Sequence, residues 1–158
     1  MLRDNKAVLI SIKPKWCELI ASGKKTIEVR KTKPKLKPPF KCYIYCTKDK
    51  SNHFWIGKRY SYVDDHSHNA FDKDGNGKVI GEFMCDTFVL DKTYGYNPLF
   101  YGAACMNAID VAVYVLNNPM YGWPISDLKI YDEPKELSEF RLTRSPQSWC
   151  YVEEVKSL

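Results

Sequence analysis

Lys13, Lys25, Glu28 and Arg30 are the side chains whose types and spacing offer chemistry, and all lie in the first fifth of the chain. Residues 26–30, Thr-Ile-Glu-Val-Arg, alternate. Ile27 and Val29 point one way, and Thr26, Glu28 and Arg30 the other. A lysine crowded by other cations, as Lys25 would be by Lys24 and Arg30, loses affinity for its proton and can serve as base, acid or nucleophile. Glu28 then completes an acid/base pair. The same residues equally describe a ligand-contacting face without chemistry, or a surface ion-pair cluster worth little to stability.

A second group stands near the C-terminus, where Arg141, Arg144, Gln147 and Trp149 join two cations, an amide and a ring. They could supply a phosphate contact, base-edge hydrogen bonds and a stacking platform. Trp149 also suits the core of a last strand.

The first group needs a strand, a short helix and a second strand to hold it. Val8, Ile10 and Ile12 alternate with Leu9, Ser11 and Lys13, which is strand periodicity. Pro14 ends that strand and opens a short helix over 14–22, where its missing N–H costs nothing. Gly23 closes the helix as a left-handed cap. Trp16, Leu19 and Ile20 would form its core face.

The string SIKPKWCELIASGKKTIEVRK, residues 11–31, resembles the opening motif of the ASCH domain family, whose fold is related to the RNA-binding PUA domain. The hallmark is a helix ending in a small residue and glycine, then Lys-Thr, an apolar residue and an alternating charged strand ending in Arg, here residues 22–30. GKVIGEF (77–83), YGWPISDLKIYDEPKELSEF (121–140) and PQSWCYVEE (146–154) more weakly resemble segments of ASCH proteins from phages and prophages. The matches run in order over nearly the whole chain. In one branch of the family, amidohydrolases that deacetylate N4-acetylcytidine, the resemblance makes Lys25 the match of a catalytic lysine. Glu28 stands where that branch has a catalytic threonine, so its hydroxyl is missing here.

Charge is concentrated at the same end. The 158 residues carry a net charge of +5, yet residues 1–50 hold 14 Lys/Arg against 4 Asp/Glu and the remainder is acidic. The densest run is 24–41, with eight basic residues against the single acid Glu28. Such a run can be a solubilising face or can neutralise phosphates, and Trp16, Phe40, Tyr43 and Tyr45 beside it offer rings on which bases stack. Within it, KTKPKLKPP (31–39) has three prolines and no period, so an exposed basic lip is expected.

Other function classes fade on inspection. Six cysteines at 17, 42, 46, 85, 105 and 150 form no CxxC pair, so they read as structural thiols. Cys42, Cys46, His53, His66 and His68 match no zinc spacing. DKDGNG (72–77) imitates the start of a calcium loop, but Phe83 occupies the place of the closing acid, and a Gly/Asn hairpin turn explains the same residues. The longest apolar run, near 108–116, is interrupted by Asp110 and is too short to span a membrane, and Arg3, Asp4 and Lys6 break any secretory signal. No Walker, GxGxxG, GxSxG or HExxH motif occurs. A cytoplasmic location with no cofactor is expected.

Further strands are expected at 41–47, 78–90, 123–132 and 148–155, with Glu82 in need of a partner. A helix is expected over 98–116 with Leu99, Ala103, Met106, Ile109, Val113 and Leu116 on its inner face. Residues 48–77 form a long irregular insertion, which could also meet a protein partner. One domain over 1–158 of the α+β class follows: a small mixed β-barrel of the PUA/ASCH type with flanking helices. The expected function is RNA or nucleotide binding in a basic groove between the first helix, the lip and the C-terminal strand. Lys13, Lys24, Arg30, Lys33, Lys35, Lys37, Arg144, Gln147 and Trp149 would make the contacts. The alternative is a hydrolase of the same groove, an amidohydrolase on modified cytidine such as N4-acetylcytidine or a metal-independent ribonuclease, with Lys25 and Glu28 as its catalytic pair.

Overall fold

The computed structural model describes residues 5–48, 53–56, 59–62 and 76–156. Its elements run β1 (Lys6–Ile12), α1 (Pro14–Ala21), β2 (Ile27–Arg30), β3 (Phe40–Cys46), β4 (His53–Ile56), β5 (Arg59–Tyr62) and β6 (Lys78–Cys85). They continue with β7 (Val89–Asp91), α2 (Pro98–Ala103), α3 (Ala108–Val115), β8 (Met120–Pro124), β9 (Ser126–Lys135), a 3-10 turn at Leu137–Phe140 and β10 (Trp149–Glu153).

Five strands form a mixed sheet in the order β10-β1-β3-β6-β9, with β1 and β3 parallel and the other neighbours antiparallel. A three-stranded antiparallel sheet, β2-β8-β7, packs beside it, and β4 and β5 pair as a hairpin within the expected insertion. The α+β expectation thus holds as mixed sheets with a few helices.

Period-two alternation decides what each face of the large sheet meets. Val8, Ile10, Ile12, Cys42, Ile44 and Cys46 enter one core with Cys17 and Ile20 of α1 and the fully buried Trp123. Leu9, Tyr43 and Tyr45 enter another beneath Tyr131, Phe140 and Val152. Glu82 finds its partners on that second face. Lys41 Nζ lies 2.9 Å from its Oε2, and Tyr131 donates its hydroxyl to Oε1 at 3.0 Å.

The helix start is as expected: Pro14 occupies the first turn and Gly23, at φ +81°, closes the turn after α1. Two long strands are each divided. The chain leaves the large sheet after Cys85 and enters the small one at Val89, and it crosses back between Pro124 and Ser126. The single helix over 98–116 is two helices, because residues 104–107 break it and Asn107 restarts the second one through a reciprocal capping box with Asp110. That break turns part of the expected inner face outward, although Ala103 and Met106 still pack against the core. Leu99 is 86% exposed and Ile109 73%, while Phe100, Tyr101, Ala104 and Val115 are buried with Ile27, Val29 and Met120.

Candidate functional site

Where α1 ends near the start of β2, the chain must carry Lys25, Glu28 and Arg30 past the edge of α3. Backbone hydrogen bonds fix the crossing: Lys25 N–H donates to Leu19 O at 2.9 Å, Thr26 N–H to Ala103 O at 2.9 Å, and Ile125 N–H to Thr26 O at 2.9 Å. A pocket of about 400 Å³ opens between these elements. Lys25, Glu28 and Arg30 form its floor, Lys13 and Trp16 one wall, and residues of the α3 segment, among them Met106, Ile109 and Tyr114, the other.

The floor is a closed chain of contacts. Lys25 Nζ donates to the Ala104 carbonyl at 2.8 Å, lies 3.5 Å from Glu28 Oε1, and stands 5.0 Å from the centre of the Trp16 ring. Glu28 Oε1 accepts the Val29 N–H at 2.9 Å, and its Oε2 is 3.4 Å from Arg30 Nη2. Arg30 Nη2 also donates to Ser11 O at 2.7 Å, and Nη1 to Ser148 Oγ at 3.1 Å. Buried charges persist only when paired and hydrogen-bonded. Here two cations share one carboxylate, which leaves the floor with a positive excess suited to an oxygen acceptor or an anion.

Two expectations about these residues change. Lys25 is 3% exposed and Glu28 6%, so they form no surface cluster. The close partners of Lys25 are a carbonyl and a carboxylate rather than a crowd of cations. Burial pushes the Glu28 carboxyl up, but Lys25 and Arg30 together outweigh it and hold the group below its ordinary value. Burial raises the Tyr114 phenol against the pull of Arg30, so this wall presents a neutral hydroxyl.

Lys13 is exposed on the pocket wall, while Lys24 is exposed and off it. The lip lies against aromatic rings. Lys33 Nζ sits 5.3 Å from the Phe88 ring centre and 5.9 Å from that of Tyr121, and the Lys35 N–H donates to Tyr151 Oη at 2.8 Å. Lys37 is exposed. Trp149 is not a free stacking platform: its indole N–H donates to Thr32 Oγ1 at 3.0 Å, and its ring meets Trp123 edge-on at 6.1 Å. It pins the lip to β10. Arg144 and Gln147 are exposed and do not line the pocket, although Gln147 sits between Pro146 and Ser148, whose carbonyls hold the Ser11 hydroxyl and N–H.

Sequence reasoning missed Lys31, whose Nζ lies 5.1 Å from the Tyr114 ring centre at the pocket wall. It also missed Ser11, Ser148 and the Ala104 carbonyl, which orient the floor. A carbonyl leaves no trace in residue type, and only the polar Ser11 within an apolar strand was a signal.

The four described cysteines nearest the core, Cys17, Cys42, Cys46 and Cys85, are buried free thiols, and burial pushes Cys85 up to about 12. Such thiols are unreactive. Among the described residues no group of His, Cys, Asp and Glu is arranged to hold a metal ion, and no helix is long and apolar enough to cross a membrane. His66, His68 and residues 72–75 of the calcium-like stretch lie outside the described residues.

The ASCH domain family model matches residues 10–77, the part of the chain that supplies the floor and the lip. No curated protein matches the chain. Among solved structures it is similar to ASCH from Zymomonas mobilis, at 18% identity over 96% of this chain and 90% of that one, with a TM-score of 0.67. A Tyr-to-Phe variant of that protein gives 18% identity, 94% and 91% coverage and a TM-score of 0.66. A Ser-to-Ala variant gives 17%, 97% and 92%, and 0.67. At such identity the likeness is one of fold.

Proposed function

From an ASCH-type fold whose pocket has a charged, buried floor, we propose that this protein binds single-stranded RNA by seating one nucleotide in the pocket. The base packs against Trp16, its polar edge meets Lys25, Glu28 and Arg30, and neighbouring phosphates reach Lys13, Lys31 and the lip. The observation that carries this reading is the burial of the Lys25–Glu28 pair, with Arg30 paired to the same carboxylate, at the bottom of an open cavity. A surface ion pair needs no burial, and a purely structural one gains nothing from a cavity above it. A volume of about 400 Å³ falls within the range of small-ligand sites, and aromatic walls with cations nearby suit an unstacked base.

Titrating salt against the affinity for a mixed-sequence single-stranded RNA tests this reading. Wild type should lose affinity with a log–log slope of several, at roughly 0.7 per phosphate engaged. Lys25→Ala should weaken binding at every salt concentration with little change of slope. Unchanged affinity in Lys25→Ala would remove the pocket from the account.

One observation favours a hydrolase in the same pocket. Lys25 Nζ and Glu28 Oε1 are 3.5 Å apart, with the lysine aimed by the Ala104 carbonyl, an arrangement able to pass a proton during attack on an amide or a phosphodiester. Turnover of N4-acetylcytidine or of an RNA oligonucleotide, lost in Lys25→Ala and Glu28→Gln while RNA affinity in at least one of them persists, would establish it. Absence of turnover on both would leave binding alone.

A further inference from the structure

Helix α3 stands between two cavities. On one flank is the pocket, and on the other a groove of about 600 Å³ whose walls include Tyr94, Tyr101, Val111 and Val115. Met106 borders both. Of the α3 residues only Val115 is buried, while Ile109 is 73% and Val113 66% exposed even though both line the pocket. Apolar side chains at i and i+4 on one flank would ordinarily be the buried stripe of a helix. Here they line an open pocket together with Lys25, Glu28 and Arg30 and stay exposed.

The helix is itself a stiff unit, because the Asn107–Asp110 capping box closes its first turn. Its connections are not relaxed. Cys105 at φ 57°, two residues before its N-cap Asn107, and Leu116 at φ 42° and Asn117 at φ 61°, directly after it, hold the left-handed conformation. A residue with a Cβ pays for that conformation, a bulky leucine included, and asparagine pays less. Two strained joints flank a rigid segment with space on both sides.

We propose that α3 is a lid that swings about residues 104–106 and 116–118 and lays Ile109 and Val113 over a ligand in the pocket. Closure would bury both side chains and shut the pocket over its ligand, and leaving the left-handed conformation at Leu116 would release strain. The proposal rests on the pocket being the ligand site. The motion itself does not depend on which ligand enters.

The test has an arm without ligand. Amide NMR relaxation dispersion on the free protein should show one shared microsecond-to-millisecond exchange process over residues 105–117, with β1 and β3 flat. Leu116→Gly makes the left-handed state inexpensive and should lower the population of the second state by about five-fold or more. Flat profiles over 105–117, or an exchange process equally present in β1, would overturn the lid. In a second arm, the labelled single-stranded RNA is released from wild type, Ile109→Ala/Val113→Ala and Lys25→Ala. The lid requires several-fold faster dissociation from the double variant with association unchanged, and equal dissociation rates overturn it. RNA that binds no protein at all would refute the RNA reading separately, with the first arm still deciding whether α3 moves.

Discussion

Glu28 is the residue on which the floor depends, since its two oxygens hold Lys25 on one side and Arg30 on the other. Glu28→Gln removes the only anion of the triad and leaves the buried Lys25 and the partly buried Arg30 without that counter-charge, which should cost about 3–5 kcal/mol of stability in urea denaturation. Because the folded carboxyl is held below its ordinary value, its contribution is complete above the unfolded value of about 4.3 and declines as pH falls through the folded one. The stability difference between wild type and Glu28→Gln should therefore stay constant from about pH 6 to 8 and shrink in acid below about pH 4. A difference that instead vanished between pH 6 and 7 would contradict the paired state. Lys13, Lys25, Glu28 and Arg30 were legible in the sequence as one cluster, Glu28 and Arg30 through the alternation along 26–30 and Lys13 and Lys25 through their places at the two ends of the first helix. Their burial was not. A polar face reads the same whether it looks onto solvent or onto a pocket, and only the position of α3 decides.

At the scale of elements, β1, α1, β2 and β3 follow their local patterns closely, and the errors lie where a pattern runs through a break. KVIGEFMCDTFVL (78–90) is mostly apolar with no Gly or Pro near 86–88, so only the polar pair Asp86-Thr87 marks the place where the chain passes to another sheet. Over 98–116 the helical spacing of Leu99, Met106, Ile109 and Val113 is real, but the break at 104–107 resets the rotational phase. Residues in step on one helix therefore face different ways on two. Close approach of β6 and β9 gives a direct check. A Cβ on Gly81 would lie 2.5 Å from the Lys129 backbone oxygen, which cannot yield as a side-chain tip can. Gly81→Ala should lower stability by about 2 kcal/mol or more, against roughly half a kilocalorie for a surface change. The lip offers another check, because Trp149→Phe keeps an aromatic ring, though a smaller one, but loses the bond to Thr32. Proteolysis within 31–39 should accelerate while the unfolding midpoint moves little.

For the whole molecule, part of the basic lip is exposed yet held against aromatic rings. Lys31 and Lys33 each stand over a tyrosine or phenylalanine, so the lip presents its charge from fixed positions on the side of the molecule that carries the pocket. In the proposed RNA complex, phosphate contacts at the lip would set affinity and its salt dependence, whereas the pocket contact would add a term that salt barely touches. The two parts are separable by mutation. The most direct measurement is RNA affinity between about 50 and 300 mM salt, over which the Debye length falls from roughly 14 to 6 Å, for wild type, Lys33→Ala/Lys35→Ala/Lys37→Ala and Lys25→Ala. The account predicts a steep wild-type slope, a flatter one in the triple variant, and in Lys25→Ala a parallel line displaced to weaker binding. Three superimposable lines, or no binding at the lowest salt, would contradict it.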